Sequence, residues 1–147
     1  YIKKDEKTKI ENNVKTLVKE EEKFGIKNFK TYLEFGKKVY KIKEKVIKNI
    51  TELKNKNGKI IGYGSPAKAT TALNFFGISK EIDFVIEDNK LKVGKFIPGV
   101  NIEIKEKTSK DKNKCILVLA WNFFEEIKKN NSSLTKNFVN IKELEKD

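Results

Sequence analysis

Apolar residues recur at three- and four-residue steps through the first third of the chain. Ile10, Val14, Leu17 and Val18 predict one helix, stopped by Gly25. Phe29, Tyr32, Gly36, Val39, Val46, Ile50 and Leu53 predict a second, longer helix, capped by Asn28 and ended by Asn57-Gly58. Residues 1–8 are polar and read as a frayed end. The apolar stripe is narrow, so residues 1–57 read as a helical lead-in, a two-helix arm packing on the main domain or on a preceding one. A coiled-coil dimer is the alternative.

From Lys59 the pattern changes to short β-branched runs bounded by Gly, Pro, Asn and Asp. Strands are expected at Lys59–Tyr63, Ile82–Ile86, Val100–Ile104 and Cys115–Trp121, with a final edge strand at Phe138-Val139 and Ile141. A helix over Pro66–Phe76 closes at Gly77, a weak helix or loop spans Glu106–Asn113, and Asn122–Glu125 has the spacing of a capping box that opens a helix to about Asn130. Pro98-Gly99 has the chemistry of a type II turn. The unbroken apolar run from Cys115 belongs in the middle of a sheet. Strands alternating with helices over 58–147 predict an α/β fold, a doubly wound and mostly parallel sheet of about five strands.

Composition then narrows the function. The 147 residues make one domain with a real core. The net charge is +12, yet every basic residue is Lys and there is no Arg, the residue preferred for bidentate phosphate and guanine contacts. Lys, Asn and Ile are abundant throughout the chain, including on helix faces that should merely be wet, so a general bias explains the charge better than a nucleic-acid patch; a basic nucleic-acid binder stays an alternative carried by charge alone. Without His the chain lacks the commonest general base and metal ligand, and no metal cluster stands out. The single Cys115, inside an apolar run, reads as a buried hydrophobe; no internal disulfide can form, which fits a reducing cytoplasm. No apolar run is long enough to span a membrane. The chain has no Met and no signal peptide, and reads as a piece cut from a longer protein.

Candidate chemistry gathers at the carboxyl ends of the predicted strands. Gly62-Tyr63-Gly64-Ser65-Pro66-Ala67-Lys68 reads as strand, glycine turn and helix start, with Ser65 as N-cap and Pro66 at the first helical position. Lys68 in a first helical turn opposes the macrodipole unless an anion sits there. That suggests a phosphate or carboxylate site at Gly64, Ser65 and Lys68; the alternative is a Lys68 that reaches solvent or an acid. Gly62-x-Gly64-x-x-Ala67 followed by Asp88 is a degenerate dinucleotide fingerprint. Strand two ends in Glu87-Asp88-Asn89, where Asp88 is either a sugar-hydroxyl acceptor or a turn cap. Trp121 either stacks on a ligand or packs under the sheet, and Asn122 is either a hydroxyl contact or an N-cap. Lys90, Lys92 and Lys95 add positive charge to a loop that is equally well simply solvated. With no His and no acid pair in general acid–base geometry, the segment holds a ligand more readily than it performs chemistry.

The linked blocks Gly62-Tyr-Gly-Ser-Pro-Ala-Lys-Ala-Thr-Thr71, Asp83-Phe-Val-Ile-Glu-Asp-Asn89, Lys92-x-Gly-Lys-Phe-Ile-Pro-Gly99 and Leu117-Val-Leu-Ala-Trp-Asn-Phe123 resemble the C-terminal domain of bacterial S-adenosylmethionine-dependent sugar C-methyltransferases. Leu73-Asn74, Gly77-Ile78, Glu126-Ile127 and the helical lead-in continue the resemblance over most of the chain. It implies a Rossmann-like domain that helps position a nucleotide-linked deoxysugar. The methyl donor, the zinc cysteines and the catalytic His and Tyr belong to upstream domains of the parent enzyme. No cofactor is then expected in this segment, and alone it should be inactive. Because they converge at the strand ends, the substrate-binding residues expected on this reading are Tyr63, Gly64, Ser65, Lys68, Asp88, Trp121 and Asn122, with none catalytic. Ala69 departs from the pattern, where Gly is expected in many relatives. The implied partners are the nucleotide sugar and the upstream donor-binding domain, with a homodimer left open. A stand-alone nucleotide- or dinucleotide-binding module and a ligand-free docking domain are the competing readings.

Overall fold

A computed structural model describes residues 10–146; the polar opening stretch of residues 1–8 lies outside the described residues. Contacts divide the chain into two units, residues 1–40 and 41–147. In the first, α1 (Asn12–Phe24) ends where Gly25 turns left-handed at φ 89°, and the Gly25 N–H closes on the Glu21 and Glu22 carbonyls. Asn28 Oδ1 accepts from the Lys30 N–H at 2.9 Å and opens α2 (Phe29–Asn57), as its side chain predicts. The Tyr32 hydroxyl donates to the Ile26 carbonyl at 2.6 Å and fixes the turn between the helices. No described residue of this unit is buried, and Phe24 and Phe29 are each 75% exposed.

The second unit takes the rest of α2 and adds β1 (Ile60–Tyr63), α3 (Ala67–Phe76), β2 (Ile82–Ile86), β3 (Ile104–Lys105), β4 (Cys115–Val118), α4 (Phe124–Asn130) and β5 (Phe138–Asn140). The five strands form one sheet in the order β3-β2-β1-β4-β5, and every pairing is parallel. The doubly wound α/β class read from the sequence is therefore the observed one. β1 holds the centre with β4 beside it, and both are buried along their whole length, as hydrophobic runs without alternation require.

Strand parity sorts the core into two layers. Ile60, Val85, Cys115 and Leu117 point to the side where Val46 and Ile50 of α2 and Ala69 and Leu73 of α3 pack. Ile61, Tyr63, Ile86, Ile116 and Val118 point to the opposite side, under Phe124, Ile127 and Leu134. Asn49 on α2 donates from its amide to the carbonyls of Leu144 and Lys146, at 2.9 and 3.0 Å, and ties the last 3-10 turn (Ile141–Glu145) to the helix.

Several local expectations need correction. β3 is two residues long rather than Val100–Ile104. The chain before it folds back on itself instead: Ile97 N–H donates to the Ile102 carbonyl, and Asn101 N–H to the Ile97 carbonyl. Gly99 at φ 82° has the left-handed backbone that a type II turn asks of it. β4 stops at Val118: Leu119 N–H gives the last ladder bond to the Tyr63 carbonyl, Ala120 N–H closes on that same carbonyl, and a 3-10 turn (Trp121–Phe123) follows. Pro66, not Ser65, is the N-cap of α3, and it caps without a side-chain bond. Pro66 is itself extended, at φ −70° and ψ 161°, so the helix starts one residue later, and the Ser65 hydroxyl goes to Glu87 instead of to the helix. Asn122 forms no capping box either, since α4 begins after Phe123.

Candidate functional site

Strand order reverses between β1 and β4, so a ligand crevice is expected at the carboxyl ends of these two strands. The crevice itself is narrow. Gly64, at φ 84°, lies so close to Ala120 that a Cβ built on the glycine would sit 2.7 Å from the alanine methyl. Gly64 N–H donates to the Ile86 carbonyl at 2.8 Å. The turn therefore bridges from β2 to the segment after β4.

Open space lies to either side of this closure. On the α4 side a cavity of about 290 Å³ is lined by Tyr63, Gly64, Glu87, Asp88, Ala120, Phe123, Glu126, Ile127, Asn130 and Asn131. The Tyr63 hydroxyl is 2.9 and 3.0 Å from the two Asp88 carboxylate oxygens and 3.3 Å from Asn131 Oδ1. Its single proton goes to the carboxylate, the stronger acceptor. Asn131 is buried. Its Nδ2 donates to the Ile127 carbonyl at 2.8 Å, and its Oδ1 accepts from Lys107 Nζ at 2.7 Å. Asp88 is exposed and keeps lone pairs for another donor.

Burial pushes the Tyr63 phenol up, and the Asp88 bond and charge add to it, to about 12 from an ordinary 10.0. The neutral phenol is thus favoured by folding. Its contribution to stability is full below pH 10 and is lost as pH rises through about 12. In a phenolate absorbance titration, one of the four tyrosines should ionise only near pH 12, and Tyr63→Phe should remove that late step. A variant that keeps the step would detach it from Tyr63.

On the α3 side a second cavity, of about 410 Å³, lies among Val46, Thr71, Ala72, Phe75, Phe76, Trp121 and Ile141, with Lys68, Lys142 and Glu145 around it. Lys68 Nζ stands 4.1 Å above the Trp121 ring, a cation–π pair. Nothing in the sequence marked this cavity beyond Trp121 and Lys68; the Phe75-Phe76 pair at the end of α3 was its available signal.

The sequence-derived residues are therefore not one constellation. Tyr63, Gly64 and Asp88 share the polar cavity. Lys68 and Trp121 face the apolar one. Asn122 lines neither cavity; it is exposed in a surface groove with Glu125 and Asn140 that Trp121, Phe123 and Glu126 border. Ser65 gives both its N–H and its hydroxyl to Glu87, at 2.9 and 2.5 Å. Glu87 and Asn131, to which the sequence assigned no role, prove central: one closes the turn and the other roofs the cavity. Burial alone would raise the Glu87 carboxyl. The bonds from Ser65 and from the Asn89 N–H, with the Lys92 charge, outweigh burial and hold it below its usual range. Among the described residues, no group of three or more His, Cys, Asp or Glu is placed to hold a metal ion, and no helix is long and apolar enough to cross a membrane.

A family model described as C-methyltransferase C-terminal domain matches residues 1–141. A search of curated proteins finds no match.

Proposed function

Since the chain belongs to the C-methyltransferase C-terminal domain family, we propose that it positions the sugar of a nucleotide-linked substrate for a C-methyltransferase. The observation that carries this reading is the Tyr63–Asp88–Asn131 group in its cavity. An exposed carboxylate, oriented by a buried phenol, accepts bonds from sugar hydroxyls, and Phe123 offers an apolar face for a ring. Glu87, Asp88 and Glu126 surround the same space, so it suits hydroxyls and opposes phosphate. The cavity volume fits one sugar ring rather than a whole nucleotide.

S-adenosylmethionine, the donor this family implies, does not fit the glycine turn. The Ala120 methyl and the Glu87 carboxylate take up the close approach that a donor ribose would need. In this reading the donor belongs to another domain of the same chain, and no step of methyl transfer is assigned to these residues. The exposed phenylalanines of residues 10–40 suit cover by such a domain. Cys115, a buried free thiol, suits a reducing cytoplasm.

In the intact enzyme, Asp88→Asn should weaken nucleotide-sugar binding about tenfold, the effect of one hydrogen bond to a charged acceptor. Unchanged affinity would remove Asp88 from the site. Lys68→Ala, measured beside it, reports whether the charged part of the substrate reaches the α3 side. The second reading is a ligand-free docking domain, favoured by the closure of the turn on Ala120 and Glu87.

A further inference from the structure

The turn after β1 presents donors to an anion, and the anion already there is a side chain of the same chain. Glu87 Oε2 receives the Ser65 N–H at 2.9 Å and the Ser65 hydroxyl at 2.5 Å. Lys92 Nζ approaches the same oxygen at 3.5 Å and donates to the Ser65 carbonyl at 2.9 Å. The Asn89 N–H holds Oε1 at 3.1 Å. Two backbone N–H groups, a hydroxyl and an ammonium are the donor set with which proteins bind phosphate. The Glu87 side chain is largely shielded, 13% exposed, so its charge is screened little by solvent.

We propose that Glu87 is the specificity-determining residue of this turn: a resident carboxylate that occupies the anion position and denies it to phosphate-bearing ligands. The glycine pattern and the acid after β2 resemble a dinucleotide fingerprint, but one residue before Asp88 the chain supplies its own anion. A phosphate entering here meets a fixed negative charge and finds every donor taken. The proposal goes beyond the sugar-positioning reading and does not rest on it, since that reading depends on Asp88.

The test uses the full chain, with pyrophosphate as probe, titrated at constant ionic strength and followed by calorimetry. Wild type should show no saturable binding. Glu87→Ala frees the donors and should bind at least tenfold more tightly than wild type. Adding Lys92→Ala to that variant should abolish the gain, which locates the bound anion at this turn. Glu87→Gln removes only the charge and still takes the Ser65 donors, so it should bind pyrophosphate more weakly than Glu87→Ala; circular dichroism establishes that the Ala variant is folded. Saturable binding to wild type, no gain in the folded Ala variant, or a gain that survives Lys92→Ala would each overturn the proposal.

Discussion

Gly64→Ala should destabilise the domain by about 3 kcal/mol, read as the shift in a urea unfolding curve. Two effects add. An alanine held at φ 84° costs about 1–2 kcal/mol of backbone strain. Its methyl must also push the Ala120 methyl from 2.7 Å, and such overpacking costs about 1–3 kcal/mol. Gly94→Ala is the matched control. Gly94 has nearly the same backbone, φ 77°, but a Cβ there meets nothing within 4 Å. It should lose only the strain. Equal losses at the two positions would mean that the contact between the turn and Ala120 carries no weight.

Ile50→Ala should cost about 3 kcal/mol by the same measurement. Ile50 is fully buried, and removing three carbons from a packed site forfeits their transfer energy and leaves a cavity. Phe35→Ala, on the same helix α2, deletes a larger side chain that is 66% exposed and should change stability by no more than about 0.5 kcal/mol. A large loss at Phe35 would mean that the residue is covered in solution by something other than solvent.

Ile50 belongs to the predicted apolar stripe of the lead-in, and so do Phe29 and Tyr32, which are exposed; periodicity reports which side of a helix is apolar, not what lies against it. The strands were legible for a firmer reason. Ile60-Ile61 and the run from Cys115 have no polar residue, as parallel strands buried on both faces require, and Ile82–Ile86 breaks its apolar run only at the exposed Asp83. β3 was misread because Val100–Ile104 has strand composition while Pro98-Gly99 bends the backbone into local bonds.

The site was harder to read. Tyr63 and Lys68 are five positions apart, but the strand points Tyr63 toward α4 while Lys68 rises from α3 on the other layer. Neighbours in a motif thus become opposite walls. A glycine turn looks the same in sequence whether its donors face a ligand or a glutamate from the next strand; only the register of β1 against β2 brings Glu87 to Ser65.

The amide of Asn49, bonded to carbonyls at the far end of the chain, bears on how the domain is made. Leu144 is 95 positions from Asn49, and both it and Ile141 belong to the same core layer as Val46 and Ile50. Closing so long a loop is entropically slow, and such contacts delay folding more than local ones do. During synthesis β1 and β2 can pair early, being close in sequence, while one flank of α2 waits for the Ile141–Glu145 turn to emerge from the ribosome. Until then Val46 and Ile50 stand partly uncovered, an interval in which aggregation or chaperone capture competes with folding.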